Sequence, residues 1–354
     1  MKTLLKITGI LVLLITFGCG GNDDDATTPP EMEVASIIGD WERTSGGILG
    51  IQWEYLLIKS DNTLNLFSQD DNGFRDETTG NYTATDNQVT VEISFFGSLL
   101  LNYMITDNTL ELRDSSGNVS TYNRVTNAPS SDTWIQKLTI LSQGNAPWNE
   151  DADIAFNGSH ILLGNGSEAE NIGIINPETF MLDGEITTSQ TAFAVEVEKL
   201  ELPDKYIFQS SNGSTQFKAY FEDSNTEAFT SLSLGAWIYG LASIDSNQIW
   251  ASSGNEQSLY LLNYMSSGID QTVERTITLD RTPYGMDYQN GFLYICSRGN
   301  IYKCDVSSSF EVLETITVEG YRAFGIAFDG TNFWINASSN NGGPNQLIKT
   351  SLTL

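Results

Sequence analysis

The chain has 354 residues, with 45 acidic and 17 basic side chains and a formal net charge of −28. Such a surface repels nucleic acid phosphates and acidic lipid headgroups, so no nucleic acid partner is expected. Charged residues make up only 18% of the chain, with 31 Gly and 8 Pro. That balance suits many short strands joined by tight turns and predicts an all-β protein, long enough for two domains with separate cores.

Residues 1–18 carry Lys2 and Lys6 and then the apolar run ITGILVLLITF. The run is short for a bilayer span and ends at small residues, as a secretory signal peptide does. Gly18-Cys19-Gly20-Gly21 follows. This resembles the bacterial lipoprotein signal, in which a small residue precedes the cysteine that becomes lipidated, although Thr16 stands where such signals usually carry Leu. The resemblance implies lipidation at Cys19 and a membrane partner reached through that anchor. Asn22-Asp23-Asp24-Asp25 is a like-charged run that stays solvated. It also resembles the acidic export signal of Bacteroidota surface lipoproteins, which implies the outer face of the outer membrane, at the cell surface. Residues 19–33 are expected to form an acidic flexible tether.

Residues 34–126 hold eight alternating segments: 39–44, 52–58, 63–68, 80–84, 88–94, 100–106, 109–113 and 119–125. Turn pairs such as Asp61-Asn62, Asp86-Asn87 and Asp107-Asn108 fall between them. Eight short antiparallel strands in this length predict a small up-and-down barrel. Ile38-Gly39-Asp40-Trp41, the stretch from Tyr55 to Leu64, and Gly80-Asn81-Tyr82-Thr83 resemble the lipocalin-like domain common in Bacteroidota lipoproteins. That family opens with a G-x-W motif, carried here by Gly39 and Trp41, whose Trp closes the base of the barrel. The interior is expected to be filled by Leu, Phe and Tyr side chains, with a ligand cavity as the alternative.

A polar linker at 127–131 leads into residues 132–354, where one unit recurs. It starts at Asp153, Ala194, Gly240, Gly285 and Gly325, spaced by 41, 46, 45 and 40 residues. Each copy is an apolar strand, a turn and a second strand, clearest in GIAFDGTNFWINASS from Gly325. The period and the short strands predict a five-bladed β-propeller, with six blades as the alternative. The last unit has room for three strands, so Trp134 to Leu141 is expected to supply the fourth and close the ring.

Large rings stand before the inner strands: Trp148, Phe193, Trp237 and Tyr239, Tyr284, and Tyr321 and Phe324. Arg281, Arg322, Asp287, Glu150, Asp151 and Asp153 flank them. Together they predict a binding module at one propeller face, for a carbohydrate or an envelope protein. Repeats also place like residues at like positions for packing, and that reading stays open. The alternative function is a carbohydrate-active hydrolase or lyase. Five-bladed propellers include glycoside-cleaving families that use paired carboxylates, and Asp151, Asp153, Asp245, Asp287 and Asp329 are the candidates. The sole histidine, His160, accompanies no nucleophile motif, so no catalytic residue is assigned. Asn149 to Asp153 lacks the Gly and closing Glu of a calcium loop, and neither a metal nor a cofactor is expected. Cys296 and Cys304 share a hairpin and are read either as a cross-strand disulfide or as two buried apolar side chains.

Overall fold

The computed structural model describes residues 36–48, 51–93, 97–166, 170–198, 205–245, 247–264 and 271–354. The signal peptide, Cys19 and the tether lie outside these residues. Gly39–Gly46, Trp53–Ile58, Thr63–Gln69, Arg75–Ala84, Gln88–Ile93, Gly97–Thr106, Thr109–Arg113 and Val119–Val125 form a closed antiparallel barrel. Inward positions such as Trp41, Leu56, Leu66, Val91, Leu110 and Tyr122 are buried together. They leave a cavity of about 20 Å³, room for no more than a water molecule, so the interior is packed. At the base, Trp41 Nε1 donates to Ile37 O at 2.9 Å, and the Arg124 guanidinium lies 4.3 Å over the Trp41 ring while donating to Ile38 O and Ser36 O. Gly39 is required there: its φ is +149°, and a Cβ would sit 2.5 Å from Arg124 Nη1.

Phe67 and Phe74 do not fill the barrel as its Phe residues were expected to. Both are buried on the outer side, Phe67 against Trp134 and Ile135 and Phe74 within a propeller cluster. The fourth strand begins at Arg75 rather than Gly80 for a related reason. Residues 75–79 show no apolar alternation because their side chains answer polar partners: Ser131 donates to Glu77 Oε1 at 2.6 Å and Arg281 reaches Asp76.

Five sheets follow in a ring. Blades 1 to 4 span 154–187, 194–230, 238–278 and 286–317, and blade 5 joins 321–350 to Ile140–Asn145. The inner strands Ile154–Phe156, Ala194–Val197, Ile238–Ser243, Met286–Gln289 and Tyr321–Phe328 each touch the next, and the last touches the first. The number of blades and closure by an N-terminal strand match the repeat pattern. The closing strand itself differs: Ile140–Asn145 pairs with Gln346–Thr350, overlapping the predicted segment only at its end. Trp134 and Ile135 are drawn away to the barrel, where Trp134 packs on Phe67 and Tyr55 and its Nε1 donates to Asp76 O. Gln136–Lys137 then pairs in parallel with Glu311–Thr317 and covers the outer edge of blade 4.

The hairpin register overturns the disulfide. Cys296 lies opposite Ile301 and Cys304 opposite Leu293, because the turn falls at Arg298-Gly299 rather than at Asn300. An offset of three residues places the two on opposite faces of the blade. Cys296 packs between blades 4 and 5 and Cys304 between blades 3 and 4, both as free thiols. Burial pushes both thiols well up from their ordinary range, which leaves them unreactive. Titration with a thiol reagent under non-reducing conditions is expected to label neither in the native chain and both after denaturation. If only reduction released them, the pair would be bonded.

Candidate functional site

In or just before the first part of each inner strand, one residue stands at the channel mouth. In register these are Ala152, Phe193, Tyr239, Tyr284 and Phe324, since Ala194 pairs with Ser210, Gly240 with Ser252 and Gly325 with Asn336. Four of the five are rings, and they touch in sequence around one mouth of the channel. Phe193 and Tyr239 have centroids 5.4 Å apart, Tyr239 and Tyr284 stack at 5.7 Å, and Tyr284 meets Phe324 edge-on at 5.4 Å. All four are half-buried. Burial, then Tyr239 and Asp151, push the Tyr284 hydroxyl up.

The fifth position breaks the ring. Ala152 is buried there, and Trp148, expected in that place, packs its ring against Gly173, where a Cβ would fall 2.5 Å from it. The gap is bordered by acids instead. Asn345 Nδ2 donates to Asp151 Oδ1 at 3.1 Å and to Glu150 O at 2.7 Å, and Asn336 Nδ2 donates to the carbonyls of Glu150 and Ala152. The same device recurs between blades 3 and 4, where Ser252 Oγ donates to Tyr284 O at 2.7 Å. In these two places a polar residue of the second strand fixes the backbone leading into the next blade, whereas Ser210, at the same point of blade 2, donates to Gln216 O of its own blade.

The remaining predicted residues divide. Trp237 is 46% exposed and stands beside the arc, its amide donating to Asn255 Oδ1. Tyr321 leans outward along blade 5, its hydroxyl 3.1 Å from Gln143 Oε1. Arg322 is exposed at the same mouth. Arg281 is not in the site: it is 2% exposed and pairs with Asp70 and Asp76 of the barrel. Its guanidinium lies 4.2 Å from the Phe74 centroid.

Below the arc the channel is sealed. Asp153, 1% exposed, is directed to the axis. Its carboxyl accepts from Ile154 N at 3.0 Å, Leu241 N at 3.2 Å, and Met286 N and Ile326 N at 3.4 Å, so one side chain links blades 1, 3, 4 and 5. The repeat keeps glycine where this carboxyl needs room: a Cβ on Gly285 would lie 2.1 Å from Asp153 Oδ1. Burial pushes the Asp153 carboxyl well up from its ordinary range, against the pull of the amides.

Asp287 therefore belongs to the other mouth. There a cavity of about 420 Å³ is lined by Glu196, Glu198, Asp287, Lys205, Phe156 and Phe328, among others. Asp287 accepts from Phe328 N at 2.7 Å and from Gln289 Nε2, and Glu198 from Tyr206 N and the Tyr264 hydroxyl. Glu196 and Asp287 are 4% and 3% exposed. Among the described residues no three His, Cys, Asp or Glu side chains are grouped to hold a metal ion. Nothing in the sequence announced one further contact line, in which His160 lies between Ser159 Oγ (2.8 Å) and Asp183 Oδ2 (3.2 Å). It sits on an exposed turn where Ser159 Oγ also meets Asn157 Oδ1.

Fold and site define an all-β chain in which a packed eight-stranded barrel is joined to a five-bladed propeller with an aromatic mouth. No protein-family model matches the chain, and no curated protein matches it. Among solved structures it is similar to glutaminyl cyclase of Myxococcus xanthus, at 11% identity over 61% of this chain and 97% of that one, with a TM-score of 0.48. It is also similar to the WD40 propeller domain of Doa1, at 12% identity over 88% of this chain and 93% of that one (TM-score 0.38). A chain of the mitotic checkpoint complex gives 10% identity over 97% and 99% (TM-score 0.39).

Proposed function

We propose that the chain is a lipid-anchored outer-membrane protein that binds a ligand on the aromatic mouth of its propeller. The observation that carries the reading is the unbroken line of rings from Phe193 through Tyr239 and Tyr284 to Phe324. Four blades contribute one ring each, the rings stay half-open to solvent, and the plug at Asp153 makes the mouth a dish rather than a passage. A dish of ring faces with carboxylates at one side suits a sugar, whose C–H face stacks on rings while its hydroxyls meet polar groups. Packing alone explains the ring contacts, but it does not call for Trp237, whose indole is 46% exposed beside them.

A glycan and peptide binding screen of the full chain, with turnover followed in the same wells, tests this. Trp237→Ala is expected to weaken a hit at least tenfold with the unfolding midpoint unchanged, and Tyr284→Ala to weaken it further. If binding survives both substitutions, the mouth is a packing device. The anchor is supported by Cys19 and the acidic run behind it, and protease treatment of intact cells that spared the protein would count against cell-surface exposure.

A second reading, hydrolase or lyase activity, draws on the lower mouth, where Glu196 and Asp287 lie buried beside a cavity. Turnover lost in Asp287→Asn but kept in Trp237→Ala would favour it.

A further inference from the structure

Arginine is scarce in this acidic chain, and seven of its eight copies are tied to the protein. Arg43, Arg113, Arg281 and Arg298 make ion pairs. Arg75 lies over Trp134, Arg124 over Trp41, and Arg275 donates to Val306 O. Among the described residues the Arg322 side chain has no ion pair, hydrogen bond or ring contact. It lies two residues before Phe324, on the strand that carries the end of the aromatic arc.

Its stem is nonetheless held. The blade 4 hairpin lies across it, with the Cβ position of Gly299 3.1 Å from Arg322 Cγ and 3.3 Å from its Cα and Cβ. Ala323 N donates to Gly299 O at 3.2 Å, fixing the hairpin to this segment. Beside Gly299, Arg298 holds a left-handed backbone (φ +48°), a conformation that disfavours residues with a side chain and is usually left to Gly or Asn. Its guanidinium has only a loose pair with Asp76 at 3.8 Å and its side chain is 58% exposed. One exposed guanidinium, with a packed stem and a free head, therefore stands on the strand that ends the aromatic arc, on a protein that is otherwise strongly acidic, while Arg298 beside it is turned to Asp76 of the barrel.

A head on a packed stem has less freedom to lose on binding than one on a loose stem, and a guanidinium fork matches a carboxylate or sulfate with two parallel hydrogen bonds. Resting on the reading of the mouth as a ligand site, we propose that its ligand is an anionic glycan, whose ring stacks on the arc while its charged group pairs with Arg322. Asp151 and Glu150, across the gap at Ala152, repel that charge and fix which way round the sugar lies.

The test is calorimetric titration of the full chain with tetragalacturonate, its methyl ester and a sulfated galactan tetrasaccharide. At least one anionic probe is expected to bind ten or more times tighter than the ester, and Arg322→Gln to remove that advantage while leaving ester binding unchanged. Arg322→Lys, which keeps charge without the fork, is expected to recover only part of it. Which anionic probe binds tighter decides between carboxylate and sulfate. Affinity for both anionic probes no higher than for the ester, no binding of either anionic probe, or full affinity in Arg322→Gln overturns the proposal. Tyr284→Ala separates this from failure of the mouth itself: loss of ester binding there with no effect of Arg322→Gln would leave the mouth standing and remove the anion.

Discussion

Replacing Asp153 by Ala is expected to lower the stability of the chain by about 3–5 kcal/mol, because it strands buried amides of four blades at once. The donors are Ile154 N, Leu241 N, Met286 N and Ile326 N. Urea unfolding followed by tryptophan fluorescence measures the loss. Asp153→Asn keeps one acceptor oxygen but turns an NH2 toward donors, so it should recover only part. The dependence on pH has a definite sign. Burial holds the folded carboxyl above its unfolded value of about 3.9. Its protonation therefore adds stability that is fully present below that value and is lost as pH rises through the folded one. The deficit of Asp153→Ala should be largest in acid and shrink toward neutrality. A loss under about 1 kcal/mol would mean that the axis is hydrated and the plug is not structural.

The repeat made the propeller legible, because a blade cannot bury its faces alone and so writes the same apolar pattern at a fixed spacing. Alternation did the same for the barrel. The ring-bearing turns were legible too, apart from Trp148. It precedes the first inner strand by more residues than the other rings do, and the room left by the missing side chain of Gly173 takes its ring into packing. What stayed hidden were contacts between residues far apart in the chain. Asp153 reads as one more acid in an acidic chain until Gly240, Gly285 and Gly325 are seen to stand at its own position in their blades, leaving room at the axis. The closing strand was misplaced because Trp134 fits an outer-strand pattern equally well. Only the barrel's Phe67 and Tyr55 show where it goes. Arg281 misled for the same reason, since its partners Asp70 and Asp76 lie more than 200 residues away in sequence.

Arg281 is the second position where a large effect is expected, and it tests whether barrel and propeller are one unit. Its guanidinium faces Asp70, Asp76 and Asp280, donates to the Tyr302 hydroxyl at 2.9 Å, and covers the Phe74 ring, which itself meets Tyr302 at 4.6 Å. Arg281→Met fills similar space but leaves Asp70 and Asp280 without their cation and Asp76 with only its 3.8 Å pair to Arg298, and should destabilise by about 3–5 kcal/mol. Asp70 sets the pH behaviour. Burial, then contact with Asp280, holds its carboxyl above the ordinary value, while Arg281 pulls it down. Losing the arginine lets it rise further, so the charged form is penalised more and the protonated form is not. The deficit of Arg281→Met should therefore grow from acid to neutral pH, opposite to that of Asp153→Ala. Asp70→Asn and Asp280→Asn added to Arg281→Met should restore part of the stability at pH 7, and Phe74→Ala should loosen the same interface by about 3–5 kcal/mol without any such pH trend. If Arg281→Met unfolds with the wild-type midpoint at every pH, the barrel is only tethered to blade 4, and the buried cation between them contributes nothing to holding it there.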